Sequence, residues 1–256
     1  MKIFNTLLPA LIVAAIFTSC TKDDAPVNAN CKLTGFTMTW DTYRIHYNGD
    51  RIQSITDGLD STIYEYSGNN NVLSRATYNQ QSPTPYITYK DAYQYDAAGN
   101  IVKETRYTGS MYSGSLFEGA SIFYVYDGDH LASAKNYSSS MELLGQRRYT
   151  WTGDNISKVT AYNLTSTDSC FAYFEYDLTR ENLLTKKYKN WRIFIPMRHE
   201  EYYDNYWSKN IVTKYTSCSN LVINFVSATN ENGYITQTDI TAPLLQQVYK
   251  YNYECE

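Results

Sequence analysis

The chain has 256 residues, of which 43% are hydrophobic, 16% aromatic and 19% charged, and its formal net charge is −4. This composition, with 27 tyrosines, excludes a disordered chain, which would combine few aromatic residues with a high net charge. The slightly acidic balance gives no electrostatic reason to expect nucleic acid as a partner.

The N-terminal segment has the features of an export signal. Lys2 supplies a positive charge, residues 7–17 form an apolar run that is too short to span a bilayer, and the run is followed by Ser19 and Cys20. This segment resembles a bacterial lipoprotein signal. The resemblance implies a signal peptide over residues 1–19 and lipidation of Cys20, while the alternative is an ordinary secretory signal with an incidental cysteine.

The residues after Cys20 predict where the protein is located. Lys22, Asp23 and Asp24 resemble the surface-export signal of lipoproteins from one Gram-negative phylum. The resemblance implies attachment to the outer membrane through the N-terminal lipid, with the protein at the cell surface. A generic charged tether is the alternative, and it leaves the periplasmic face open. Residues 24–30 are small and polar, so we expect residues 20–30 to form the lipidated cysteine and a flexible tether.

Residues 92–107 predict one β-hairpin. Tyr93 and Tyr95 are two positions apart and therefore share a face of a strand. Turn-forming residues follow, and among them Gly99 can adopt a positive φ without steric cost. Apolar character resumes at Ile101, and a second alternating run ends at Tyr107.

The same pattern recurs along the chain, which predicts a repeat architecture. The aromatic residues that precede the six predicted turns are Tyr47, Tyr66, Tyr95, Tyr126, Trp151 and Tyr176. The reversals are therefore expected near residues 48, 68, 98, 128, 153 and 178, and the last copy places Leu183 and Tyr188 in its second strand. Several copies have apolar residues three positions apart after the turn, as in Ile52 and Ile55. Either the first residue of the pair belongs to the turn or the strand contains a bulge.

The third copy, residues 93–101, reads Tyr-x-Tyr-Asp-x-x-Gly-Asn-Ile. It resembles the YD repeat of the RHS family and, more closely, a group of secreted bacterial lipoproteins of unknown function that carry YD-like hairpins. The resemblance covers roughly residues 40–190 and, more weakly, residues 200–253. It implies the hairpin geometry alone, because the chain is far too short to form the cargo-enclosing shell of the RHS toxins.

Residues 31–256 are predicted to form a single all-β domain. We expect an antiparallel meander of repeated hairpins that forms a curved, spiralling or barrel-like sheet, because about sixteen strands are too many for a strongly twisted open sheet. A transmembrane barrel is the alternative, and it requires an apolar band facing lipid. The positions opposite the tyrosines are instead polar: Arg44, Glu65, Gln94, Glu175 and Lys250.

Few residue patterns point to chemistry. The cysteines after Cys20 are Cys31, Cys170, Cys218 and Cys255. Export makes disulfides between them plausible, in any of three pairings, and free buried thiols are the alternative. Their spacing does not fit a zinc site, and the Asp-Gly segments near residues 57–60 and 127–129 fit turns better than calcium loops. The sequence contains neither a His-Glu-x-x-His motif nor a Gly-x-Ser-x-Gly motif, and we therefore predict no catalytic residues, no metal and no cofactor.

Residues 190–210 interrupt the hairpin pattern and are rich in aromatic side chains. Rings that can stack on sugars are Trp191, Tyr202, Tyr203, Tyr206 and Trp207. The alternative is that these rings fill an end of the sheet or cover its edge. The predicted function is a lipid-anchored, non-enzymatic binding or interaction module for a glycan or a surface protein. The alternative function is an exported hydrolase with its site in a long loop.

Overall fold

The fold is an all-β barrel. The computed structural model describes residues 31–38, 41–163, 169–188, 190–194 and 207–255. In these residues each strand pairs antiparallel with the next, and the first also pairs with the last, so the meander closes. The strands are β1 (Lys32–Met38), β2 (Asp41–Asn48), β3 (Arg51–Thr56), β4 (Asp60–Tyr66), β5 (Val72–Asn79), β6 (Tyr86–Tyr95), β7 (Ile101–Gly109), β8 (Leu116–Asp127), β9 (His130–Ser138), β10 (Leu143–Thr152), β11 (Asn155–Asn163), β12 (Ser169–Glu181), β13 (Asn210–Thr216), β14 (Val222–Thr229), β15 (Ile235–Ala242) and β16 (Leu245–Glu254).

The connection between β12 and β13 differs from the hairpin turns, and here the prediction was wrong. No reversal occurs near residue 178, because β12 continues to Glu181. Leu183 begins a short helix, α1 (Leu183–Lys187), and a 3-10 turn follows at Trp191–Phe194. Leu183 and Leu184 are both buried, so their apolar side chains anchor a helical turn against the barrel rather than a second strand.

Two kinds of tight turn connect neighbouring strands. The first is a two-residue Gly-Asp turn, as at Gly49 with φ of 62°. In the second, a side-chain oxygen accepts a hydrogen bond from the amide four residues later, as Asp96 does from Asn100 at 2.8 Å. Ser67, Ser138, Ser217 and Asn230 replace the Asp of the YD pattern in this role. The copy that follows Tyr66 therefore keeps this turn without the Asp, and the connections β9–β10, β13–β14 and β14–β15 use the same turn.

A bulge follows each repeated hairpin turn, and it explains the apolar residues three positions apart. In the first hairpin, Tyr47 pairs with Ile52 while His46 pairs with Ser54, so one extra residue lies in β3. Corresponding register shifts occur in the next four hairpins. The bulge turns both Ile52 and Ile55 towards the barrel interior, where each is about 2% exposed.

Neighbouring hairpins separate beyond the bulge, and an aromatic side chain bridges the gap. Pairing of β3 with β4 ends at Ser54, and the Tyr66 hydroxyl donates to the Ile52 carbonyl at 2.7 Å. The same bridge recurs at Tyr47–Leu33, Tyr95–Val72, Tyr126–Ile101, Trp151–Leu131 and Tyr176–Ile156, over 2.7–3.1 Å. Each of these aromatic residues thus joins its strand to the preceding strand.

The barrel interior is mainly apolar, and many of the outward positions are polar. Its interior contains a large cluster of buried side chains to which every strand contributes. The positions predicted to face away from the tyrosines, among them Glu65, Gln94 and Lys250, are exposed. The interior also contains an ion cluster: Asp91 pairs with Arg75 at 2.8 Å and with Arg106 at 3.2 Å, and Arg106 lies 3.4 Å from Glu104.

Candidate ligand-binding site

The connection between β12 and β13 inserts into one end of the barrel. We call its described residues, 182–188, 190–194 and 207–209, the inserted segment. The end that it enters carries the hairpin turns at residues 49–50, 67–71, 96–100, 128–129 and 153–154, and we call that end the turn rim. The segment lies against the rim because apolar side chains at Leu184, Ile193 and Phe194 join the barrel core.

Hydrogen bonds fix the inserted segment to strands around the rim. The Tyr188 hydroxyl lies 2.9 Å from the Tyr47 hydroxyl. Arg75 donates to the carbonyl of Ile193 at 2.8 Å, and the Ser208 hydroxyl accepts from the amide of Ile156 at 3.0 Å. These contacts involve strands on different sides of the barrel, so the segment has a defined position.

A cleft of about 390 Å³ lies between the inserted segment and the turn rim. We call it the rim cleft. It forms where adjacent hairpins separate, so their bridging rings, Tyr126 and Trp151, are part of its wall. Its other lining residues include Asp129, His130, Asp154, Glu181, Thr185, Lys186, Asn190, Trp207, Ser208 and Lys209.

Aromatic rings of the rim cleft are held in place by their neighbours. The His130 ring stacks on Trp151 with a centroid distance of 4.3 Å and an angle of 9° between the planes. Trp151 also donates its indole N–H to the Leu131 carbonyl at 2.9 Å. Trp207 packs towards Tyr124 and Tyr149, with centroid distances of 6.3 and 6.0 Å. The cleft therefore has a preformed aromatic wall.

Charged groups form a continuous series along the same cleft. Lys209 lies 3.5 Å from Asp154 and 3.7 Å from Glu181, and Lys186 lies 2.8 Å from Glu181. The hydrogen bond from Lys186 lowers the pKa of Glu181 below its ordinary value. Because Glu181 stays ionised, this wall offers carboxylate acceptors and ammonium donors to a polar ligand.

A second cleft, of about 210 Å³, lies on the other side of the inserted segment. It is lined by Arg51, Tyr66, Lys187 and Tyr188, and it shares Asn190 with the rim cleft. Burial lowers the pKa of Lys187, with a smaller contribution from the charge of Lys32. This second cleft is smaller than the rim cleft and has fewer carboxylates in its lining.

The predicted aromatic binding residues lie only partly within the described chain. Trp207 lines the rim cleft, but much of its ring packs against the core. The backbone of Trp191 is in the 3-10 turn, and Tyr202, Tyr203 and Tyr206 lie outside the described residues. Cys20, Lys22, Asp23 and Asp24 also lie outside them.

The structure pairs the remaining cysteines as Cys31–Cys255 and Cys170–Cys218. The first disulfide lies beside the strands that close the barrel, β1 and β16. Among the described residues, no group of three or more His, Cys, Asp or Glu side chains could hold a metal ion. No helix in that part of the chain is long and apolar enough to cross a membrane.

Sequence reasoning missed most of the rim cleft. His130, Trp151 and Asp154 each adjoin a Gly-Asp turn, and the repeat itself brings successive turns to one rim. That signal was available in the sequence. The packing of Lys186 and Lys209 against this rim was not, because it depends on the inserted segment, whose residues 183–188 were predicted to be a strand.

Comparison with known proteins finds similarity in structure alone. No family model matches the sequence, and no curated protein matches it. A porin-like protein from Bacteroides vulgatus is similar with a TM-score of 0.57 at 12% identity, covering 87% of this chain and 98% of that one. A porin-like protein from Bacteroides uniformis aligns over the same shares with a TM-score of 0.42 at 7% identity. The structure of TcdB2-TccC3-TEV aligns 84% of this chain with 10% of its own at 12% identity, with a TM-score of 0.36. At these identities the likeness to the first protein concerns the fold alone.

Proposed function

We propose that this protein is a lipid-anchored binding module of the bacterial outer membrane and that the rim cleft binds a glycan. The single observation that carries this proposal is the cleft itself, in which fixed aromatic rings stand beside carboxylates and ammonium groups. Such a mixture suits a sugar, whose C–H faces pack on rings while its hydroxyls bond to charged groups.

The polarity of the barrel supports a module surrounded by water rather than a pore. A transmembrane barrel has an apolar outer band and a polar lumen. Here the buried residues that point inward, such as Ile52, Leu131 and Ile156, are apolar, whereas exposed outward positions such as Arg44 and Glu175 are charged.

The glycan proposal is tested with the full chain in neutral detergent on a glycan array, followed by calorimetry with any glycan that binds. Lys209→Ala removes an exposed cleft cation and should weaken binding about tenfold, as expected for a charged hydrogen bond. Lys214→Ala, on the outer face of β13, is the matched control and should leave affinity unchanged. Trp207→Ala should weaken binding as well, with folding checked by circular dichroism.

Other outcomes of this experiment would contradict the proposal. If the unaltered protein and the Lys209→Ala variant bound the glycan with equal affinity, the glycan would bind outside the rim cleft. An array without any bound glycan would leave a surface protein as the ligand class to test, by pull-down from native membranes.

The lipid anchor is tested independently of the cleft. Cys20→Ala should abolish palmitate labelling and membrane fractionation, because the thiol carries the proposed anchor. Retained label in that variant would remove the lipoprotein proposal. Protease added to intact cells should degrade the protein, and replacing Lys22, Asp23 and Asp24 with alanine should protect it; protection of the unaltered protein would contradict surface exposure.

The alternative function is an exported hydrolase, and the cleft contains carboxylates that could serve one. A general acid for glycoside cleavage needs a raised pKa, however, and the pKa of Glu181 is lowered by Lys186. A panel of glycoside and ester substrates tests this alternative. Turnover that is lost in Asp154→Asn would favour the enzyme over the binding module.

A further inference from the structure

The outer face of β7–β12 carries cationic and aromatic side chains in alternation. Strand register arranges them in three adjacent rows, which we call the outer band. The first row is Lys103, Phe123, Lys135, Gln146 and Tyr162, the second is Val125, Ser133, Arg148, Thr160 and Phe171, and the third is Thr150, Lys158 and Tyr173. None of these residues is acidic, although the whole chain has a net charge of −4.

Three of the four cations of the outer band lie over the faces of its rings. Lys158 is 4.1 Å from the ring centroid of Phe171 and 5.7 Å from that of Tyr173. Lys103 lies 5.2 Å from the ring of Phe123. Arg148 lies over Tyr162 in the same way, at 5.3 Å. These contacts reduce the freedom of the charged groups and leave them at defined positions on the sheet.

Apolar surface remains exposed between the charges. Val125, Phe171 and Tyr173 are 51%, 40% and 48% exposed. Strand spacing and the rise along a strand give the band an extent of about 24 Å by 13 Å. The next outward acid on β12, Glu175, is paired with Lys214 at 2.7 Å. Within the described part of the chain, no acid forms an ion pair with Lys103, Lys135, Arg148 or Lys158. A ligand on this surface therefore meets positive charge and apolar contacts together.

We infer that the outer band binds an anionic polysaccharide whose sugars carry carboxylate or sulfate groups. The fixed cations pair with those groups, and the exposed ring edges contact the C–H surfaces of the sugars. A single-stranded nucleic acid fits less well, because base stacking needs bare ring faces and here cations cover them. This site is separate from the rim cleft and does not rest on the function proposed for it.

The experiment is affinity electrophoresis of the full chain in neutral detergent, through gels containing chondroitin sulfate, polygalacturonate or neutral dextran. We expect retardation by at least one of the two anionic polymers, weakened by added salt, and none by dextran. The double variant Arg148→Ser/Lys158→Ser should bind about tenfold more weakly, as expected for the loss of two exposed ion pairs. The matched control, Arg44→Ser/Lys250→Ser, removes equal charge from the outward face of β2 and β16 and should bind unchanged.

Several results would overturn the inference. Equal weakening in the two double variants would mean that overall charge, and not the outer band, attracts the polymer. Equal retardation by single-stranded DNA or by anionic phospholipid vesicles would contradict the choice of a polysaccharide. Lys209→Ala, in the rim cleft, should leave the retardation by anionic polymers unchanged. The two proposals, for the outer band and for the rim cleft, can therefore fail independently of each other.

Discussion

At the scale of single residues, the aromatic side chain before each repeated turn has two roles. Its ring packs against the core, and its polar tip donates a hydrogen bond to a carbonyl of the preceding hairpin, as Tyr66 does to Ile52. A bulge frees that carbonyl where strand pairing ends. The structure therefore needs an amphipathic ring at this position, which Tyr and Trp provide and Phe does not.

Tyr66→Phe tests this role. The substitution keeps the ring but leaves the Ile52 carbonyl, in a residue 2% exposed, without its tyrosine donor. We expect a loss of about 1–2 kcal/mol in the free energy of unfolding, measured with urea. Tyr112→Phe is the control, because Tyr112 is 92% exposed. Equal stability of the two variants would show that the bridge contributes nothing.

The tyrosines also predict how stability depends on alkaline pH. Burial raises the pKa of Tyr43 and Tyr66 to about 12, and it raises the pKa of Tyr47 and Tyr253 as well. The unfolded chain therefore loses these protons first, near pH 10. Stability should be fully retained below about pH 10 and decline as pH rises towards 12.

Urea titrations across this pH range, with tyrosinate absorbance recorded on the folded protein, would measure the effect. In the folded protein, the buried tyrosines such as Tyr43 and Tyr66 should ionise only well above pH 10. A folded protein in which every tyrosine ionises together near pH 10 would contradict the prediction.

At the scale of elements, the turns could largely be predicted and the inserted segment could not. The contacts that define a turn are local in sequence, so the turn geometry of residues 96–100 can be predicted from those five residues alone. The short helix at Leu183 depends on burial against strands far away in sequence, and no local signal marks it. The buried ion pairs could not be predicted either. Arg75 and Glu104 occupy positions where other copies carry an apolar residue such as Ile55, and their partners become known only from the strand register.

The turn between β9 and β10 contains a residue whose replacement should stabilise the fold. Met141 has φ of 64° at the position where the equivalent turn uses Gly99. A left-handed conformation costs a residue with a side chain about 1 kcal/mol or more, so Met141→Gly should stabilise the fold by about 0.5–1 kcal/mol. Ser140→Gly, one position earlier, should destabilise it slightly. Urea unfolding measures both, and a destabilised Met141→Gly would contradict the reasoning.

The interior ion cluster connects the barrel wall to the inserted segment. Arg75 binds both Asp91 and the Ile193 carbonyl, and Asp91 is 4% exposed. Arg75→Leu should cost about 3 kcal/mol or more, because it leaves a buried carboxylate with one fewer partner. The double variant Arg75→Leu/Asp91→Leu should be more stable than Arg75→Leu in urea. A double variant that is less stable than Arg75→Leu would argue against this account.

At the scale of the whole molecule, closure of the barrel relies on strands from the two ends of the described chain. β1 and β16 pair, and Cys31–Cys255 links residues 224 apart, whereas Cys170–Cys218 links residues 48 apart. Loop-closure entropy predicts that Cys31→Ser/Cys255→Ser loses about 1.4 kcal/mol more stability than Cys170→Ser/Cys218→Ser. Thermal and urea unfolding of the two oxidised variants would compare them, and the opposite order would count against an entropic origin.

The bridges between hairpins also suggest how such a molecule changes in size. Each unit brings its own donor ring and its own freed carbonyl, so an inserted copy would satisfy its neighbours on both sides without altering them. The circumference can then grow or shrink by two strands through duplication or deletion of one gene segment. Relatives built on this plan are expected to differ in even numbers of strands.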